Sequence, residues 1–277
     1  MQMVTLDQYA HLPRPNVDWL VQGLIPRPGM VMLLGPPKAG KSFLALDIAN
    51  RISRGQDVLG HKSKPVPVLY IQMDTSEAIW RDRILCLEQS GYDTRSPRML
   101  MAHPDQELRP LNVLTASGAA WIRDALHSSK AELVVLDVLR EIHTGDENDS
   151  TEMKKVFDEL ARLFAGRTVL FVHHTRKIDP AATKVDPVAI ARGSSYITGK
   201  MDAYWLLYDQ RLHLTSRFAE ERTLRAVQSK SGIWEFPELA VPAASVAPAP
   251  ADSAAPDSLA PFESVLPVSD THPIPHP

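Results

Sequence analysis

The chain has 277 residues, 44% hydrophobic and 23% charged, with a formal net charge of −3, a composition ordinary for a globular protein of one large or two small domains. A single cysteine, Cys86, rules out an internal disulfide, and no charged-plus-apolar leader or run of 18 apolar residues appears, so a cytoplasmic protein without a membrane partner is expected. The segment 240–277 carries Asp252, Asp257, Glu263 and Asp270 but no Lys or Arg, which leaves the preceding 239 residues at +1. An always-on nucleic-acid binder would be more basic, so any such contact belongs to a loop or channel.

In chain order, residues 1–16 read as a leader to a domain expected over 17–239. The apolar run Met30–Leu34 reads as a strand and Phe43–Ile52 as a helix, with Gly35-Pro-Pro-Lys-Ala-Gly-Lys-Ser42 between them. That octapeptide fits G-x-x-x-x-G-K-[ST] in the strand-to-helix setting the motif requires. A backbone that reverses there turns its N–H groups inward, so Gly35, Pro36, Pro37, Lys38, Ala39, Gly40, Lys41, Ser42 and Phe43 are expected to cradle phosphates at the positive end of the helix. Lys41 is placed to reach the β- and γ-phosphates and the Ser42 hydroxyl to ligate Mg2+, which makes ATP and Mg2+ the expected cofactors.

The strand-then-helix alternation continues with Val66–Met73 and Ser76–Gln89, Leu133–Leu136 and Thr151–Phe164, and Val169–Val172. Ala203–Tyr208 and Thr223–Ser229 read as two further strands, and Cys86 falls among buried positions of a helix. Short continuous apolar runs suit strands covered on both faces, so an α/β fold is expected, with a mainly parallel twisted sheet and helices on both sides. From Ala240 onward prolines recur in an Ala/Pro/Ser/Val mixture. That composition predicts a disordered tail over 240–277, either passive or docking a protein partner.

A phosphate loop needs an acid for its metal, and Asp137 closes the run Ala131-Glu-Leu-Val-Val-Leu-Asp137 at a strand's carboxyl end. Asp74 ends another strand and Glu77 follows, two carboxylates able to orient or deprotonate water, although Asp-Thr-Ser-Glu equally suits a helix N-cap. Val169–Val172 runs into His173-His174; side chains alternate along a strand, so at most one of the two can face a γ-phosphate. The stretch Arg176–Ser195 follows without clear periodicity, and Arg176, Lys177, Lys184 and Arg192 make it either a DNA-binding loop or a solvated lid. Among the aromatics, Tyr196 beside that loop is a candidate base-stacking platform, and Trp19 is open to either adenine packing or the core.

The order of these pieces resembles the RecA-like P-loop ATPases, above all the RepA-type hexameric replicative helicases and AAA-family ATPases of phages and mobile elements, over about residues 17–235. Besides the phosphate loop, the matching residues are Val68-Leu-Tyr-Ile71, Val135-Leu-Asp-Val-Leu-Arg140 with Glu141-Ile-His143, Asp146-Glu-Asn148, Val172-His-His174, Arg192-Gly-Ser-Ser195, Arg225 and Ser229-Lys230. The resemblance implies a hexamer with ATP at subunit interfaces and single-stranded DNA in a central channel. It also implies that Asp74 holds the place of the catalytic glutamate, that His174 senses the γ-phosphate, and that Arg225 and Lys230 approach a neighbour's phosphates. The sequence departs from the pattern twice: Asp74 is one methylene shorter than Glu, and Asp202 stands where these helicases place an arginine finger. Two readings follow, a DNA-stimulated ATPase or helicase and a nucleotide-gated switch or loader with weak turnover. A small-molecule kinase is disfavoured, since no compact lid with paired arginines is seen.

Overall fold

The computed structural model describes residues 3–13, 16–104, 110–176 and 186–239, all within a compact unit that runs Met1–Val241. Lys177, Lys184 and the expected tail over 240–277 lie outside the described residues. Helix α1 (Leu6–Ala10) and strands β1 (Trp19–Val21) and β2 (Ile25–Pro26) lead into β3 (Gly29–Gly35), α2 (Lys41–Arg54), β4 (Val68–Gln72), α3 (Glu77–Gln89) and β5 (Met99–Ala102). There follow α4 (Ala116–Ser129), β6 (Leu133–Asp137), α5 (Ser150–Leu163), β7 (Thr168–His174), α6 (Pro187–Ile190) and α7 (Ser195–Gly199). The described part closes with β8 (Ala203–Tyr208), β9 (Arg211–Ser216), β10 (Arg222–Arg225), β11 (Val227–Gln228) and β12 (Trp234–Glu235).

Eight strands form one sheet in the order β10-β9-β8-β3-β7-β6-β4-β5. Parallel pairings join β8 through β5, and antiparallel pairings add β9 and β10. Every residue of β4 and β6 is buried, as expected of continuous apolar strands covered on both faces. One core lies on the α2 and α3 side, with Leu44, Ile48, Ile52, Trp80 and Leu87 against Val68, Tyr70, Leu133 and Val135. The other joins Ile122 and Leu126 of α4 and Met153, Val156, Phe157 and Leu160 of α5 to Leu69, Ile71, Val134 and Phe171. The α5 residues recur at helical spacing on one face, and full burial of each such side chain contributes about 1.5–3 kcal/mol. That helix begins where the Asp149 carboxylate accepts hydrogen bonds from the N–H groups of Thr151 and Glu152, at 2.7 and 3.2 Å.

Three sequence expectations change. Thr223–Ser229 is not one strand: β10 ends at Arg225, Ala226 N donates to Gln210 O, and β11 turns away to pair with β12. Trp19 packs edge-on against Phe218 in β1, which pairs with β2 ahead of the first residue of β3, at the opposite edge of the sheet from the phosphate loop. Cys86 is exposed rather than buried.

Candidate nucleotide site

Strand order decides which side chains meet. Because β7 lies between β3 and β6, the parallel registers set Gly35 beside His174, Val172 beside Asp137, and Asp137 beside Gln72. The phosphate loop, the two histidines and the strand-terminal acid thus share the carboxyl edge of the sheet, where open parallel sheets bind ligands.

The loop turns through Lys38 and Gly40, whose φ values are +63° and +85°. A Cβ on Gly40 would stand 2.6 Å from Gln228 Oε1 and 2.7 Å from Trp234 Cζ2, and one on Gly35 would stand 2.7 Å from the Leu207 carbonyl. Trp234 Nε1 also donates to Gly40 O at 3.2 Å, so the β11–β12 hairpin buttresses the turn. Helix α2 starts with no side-chain cap, no acid in its first turn and a lysine as its first residue. Its unsatisfied N–H groups and positive dipole end leave a site that calls for an anion.

Lys41 is only 5% exposed. Its ammonium donates to Pro36 O at 2.9 Å and stands 3.3 Å from His174 Nδ1. Burial depresses its pKa from 10.5 to about 8, against the opposing pull of the Asp137 and Asp74 charges. The pocket around it, about 300 Å3, is lined by Lys38, Ser42, Phe43, Asp74, Thr75, Arg83, His174 and Gln228, among others. Asp137 lies fully buried beneath it. Burial raises its carboxyl to about 6, while the Tyr70 and Ser42 hydroxyls favour the charged form. Asp137 Oδ2 accepts from Tyr70 at 2.7 Å and from Gln72 Nε2 at 3.4 Å, whereas Oδ1 is buried and has no hydrogen-bond partner among the described residues. A buried carboxylate with one oxygen lacking a hydrogen-bond partner among the described residues, and with the Ser42 hydroxyl acting on the same group, suits a hard divalent cation, so the residues present fit magnesium.

The histidines divide as strand alternation requires. His174 reaches Lys41, and burial, then the Lys41 charge, holds its pKa below the usual value. His173 is buried on the other side, where its Nε2 contacts Arg192 O at 2.8 Å and burial takes its pKa down to about 4. It belongs to a polar junction with Glu147, which is 4% exposed and pairs with Arg192 Nε at 3.1 Å. Glu147 Oε1 stands 4.0 Å from both His143 Nε2 and His173 Nδ1, Glu147 O accepts from Ser194 N at 2.7 Å, and Arg192 N donates to His174 O at 3.1 Å.

Of the other expected residues, Asp74 lines the pocket while Glu77 is turned to Arg81 at 2.5 Å and does not line it. Arg225 is exposed at the end of the edge strand β10 and Lys230 at the tip of the β11–β12 hairpin. Arg176 is exposed and donates to Gly193 O at 2.7 Å. Tyr196 packs edge-on to Phe157 with the Lys200 ammonium 5.0 Å over its ring. Asp202 Oδ2 accepts from Met30 N at 2.8 Å, at the foot of β3. Sequence reasoning missed Arg83, Thr75, Gln228 and Trp234. Arg83 sits on the first two turns of α3, nine residues beyond Asp74, and only folding brings it to the phosphate pocket.

Residues 1–179 match a family model described as AAA domain. Among solved structures, the chain is similar to one titled "ATPase Domain of G40P", at 14% identity and a TM-score of 0.54 over 74% of this chain and 84% of that one. It is also similar to a KaiC-like protein, PH0186, from Pyrococcus horikoshii OT3, at 11% identity and a TM-score of 0.48 over 78% of this chain and 93% of that one.

Proposed function

The chain belongs to the AAA domain family and is a RecA-like P-loop ATPase, and from that premise we propose that it works as a ring-forming, single-stranded-DNA-dependent ATPase, a helicase of replication or recombination. The observation that carries this reading is the place of His174. Its ring touches Lys41 and its carbonyl holds the Arg192 N–H, so the phosphate end of the site and the basic loop meet on one residue.

In this reading Lys41 and the loop N–H groups bind the triphosphate, with Lys38 and Arg83 adding positive charge along the pocket. Ser42 and Asp137 would hold magnesium, which when bound would supply positive charge against the triphosphate. Asp74, exposed at the pocket wall, orients or deprotonates the attacking water. His174 registers the γ-phosphate as Lys41 shifts its hydrogen bonds from protein to nucleotide. Arg176 and Arg192, with Lys177 and Lys184, present the strand-binding charge, and Arg192 is 56% exposed although anchored by Glu147. The pocket is small for a whole nucleotide and its walls are those of the phosphate end. Completion by a second subunit, a hexamer on the resemblance, supplies the remainder, and exposed Arg225 and Lys230 are the side chains offered in trans.

One observation favours the alternative, a nucleotide-gated switch or loader that serves a protein partner. Asp202 is committed to Met30 N at the far edge of the sheet, and an arginine finger contributes on the order of 10³–10⁵ to turnover where it exists. Steady-state ATP hydrolysis with and without single-stranded DNA, at low and moderate salt, separates the two when read beside the mass of the nucleotide-bound assembly. The motor predicts DNA-stimulated, salt-sensitive turnover in a ring-sized particle. Slow, DNA-indifferent turnover transfers the protein to the switch class, and a failure to bind nucleotide refutes both.

A further inference from the structure

Strand β4 contributes two side chains to one face of the sheet, Tyr70 and Gln72, two residues apart as strand alternation demands. Both are fully buried, and both point at the same atom. The Tyr70 hydroxyl stands 2.7 Å from Asp137 Oδ2 and 3.2 Å from the Ser42 carbonyl. It has one hydrogen to give, and the shorter contact to the carboxylate takes it. Gln72 Nε2 reaches the same Oδ2 at 3.4 Å, while Gln72 Oε1 accepts from Thr75 N at 3.0 Å. A carboxylate with one oxygen doubly engaged can turn only by breaking those bonds, and Oδ1 is the oxygen that has no hydrogen-bond partner among the described residues.

We propose that Tyr70 and Gln72 are positioning residues for the metal acid: together they fix Asp137 by Oδ2, reserve Oδ1 for the magnesium ion, and through the Gln72 to Thr75 link tie that orientation to the turn that carries Asp74. The inference rests on the nucleotide reading above and goes beyond it, because both residues are fully buried and neither is among the side chains that line the pocket. Partners behind a metal ligand set its orientation, and their loss costs about 10–100-fold in metal affinity. The tyrosine ring itself has a separate packing role, stacked at 5.9 Å on Trp80, and Tyr70→Phe keeps that ring while removing only the hydroxyl.

The test is Mn2+ binding, read by electron paramagnetic resonance on the full chain with a non-hydrolysable ATP analogue, alongside affinity for the same analogue in EDTA. Tyr70→Phe is expected to weaken Mn2+ binding about tenfold or more and to leave the metal-free nucleotide affinity within about twofold, since the phosphate loop is untouched. Gln72→Met should weaken Mn2+ in the same direction, and carries the test alone if Tyr70→Phe does not fold. Wild-type Mn2+ affinity in the folded variants overturns the inference, as does an equal loss of metal-free nucleotide binding, which would mark the pair as merely structural. A wild-type protein that binds the analogue but no Mn2+ overturns the metal assignment itself. One that binds neither overturns the nucleotide reading.

Discussion

Lys41 makes nucleotide affinity a function of pH. In the free protein its pKa is about 8, down from 10.5, because burial of the ammonium outweighs the opposing charges of Asp137 and Asp74. Phosphate oxygens restore the charged form, so binding near pH 8 takes up a proton. The sign follows from linkage: the competent form is protonated, hence affinity is full below the depressed pKa and falls as pH rises through it. With the bound lysine fully charged across this range, the apparent Kd scales as one plus the neutral-to-charged ratio of the free protein, and it weakens about twofold by pH 8 and about tenfold by pH 9 relative to pH 7, or ~1.4 kcal/mol. Titration calorimetry in two buffers of different ionisation heat reads both the affinity and the proton count, with about half a proton expected at pH 8. Equal affinity at pH 7 and 9 with no proton uptake would refute the reasoning, because it would mean that the lysine is already fully charged when the site is empty.

Two substitutions probe the scaffold around that lysine. Gly40→Ala forces a side chain into a backbone at φ +85° and within 2.7 Å of Gln228 and Trp234; it should lower stability by about 1–2 kcal/mol from the backbone conformation alone and nucleotide affinity at least tenfold. Fluorescent-nucleotide titration and thermal unfolding check both, and wild-type values would contradict the hairpin's role as a buttress. Arg192→Ala strips buried Glu147 of its ion-pair partner and should cost about 1–3 kcal/mol, below the range for a wholly buried pair because the arginine is half exposed. Adding Glu147→Gln should recover part of that loss in denaturant unfolding, whereas additive losses would show that the pair does not couple.

The parts of the molecule legible in the sequence are those where one local constraint dominates. The octapeptide from Gly35 to Ser42 declares its turn through glycine, and Leu133–Leu136 and Val169–Val172 declare buried parallel strands by being apolar without interruption. Helix α4 went unread because small and polar residues dilute its buried Ala119, Ile122 and Leu126, although Thr115 caps it by accepting from Gly118 N. Strand β9 carries a half-buried alternation in Arg211-Leu-His-Leu, a weaker signal than an uninterrupted apolar run because polar residues hold every second position. The site residues that escaped have no local signature. Arg83 lines the pocket with Lys41 and Ser42 only because of where α3 packs, and Trp234 reaches Gly40 across 194 residues of chain. Arg192 was legible as a basic residue, but its partner Glu147 lies 45 residues earlier and is joined to it only by the placing of β6 beside β7.

The junction of Glu147, His173, Arg192 and Ser194 differs in kind from the two apolar cores on either side of the sheet. Parting an apolar contact exposes surface that water rejects, at about 25 cal/mol per Å2. Parting this one hands a half-exposed ion pair, and the buried Glu147 Oε1, His173 Nδ1 and Ser194 Oγ that have no hydrogen bond among the described residues, to a solvent that hydrogen-bonds them well. Water therefore competes for the polar atoms of this junction while it opposes the parting of either core. Ala191 and Ile197, on either side of that junction, belong to the same core as Phe157 and Phe171, so solvent that loosens the polar atoms works at the margin of an apolar layer that resists it.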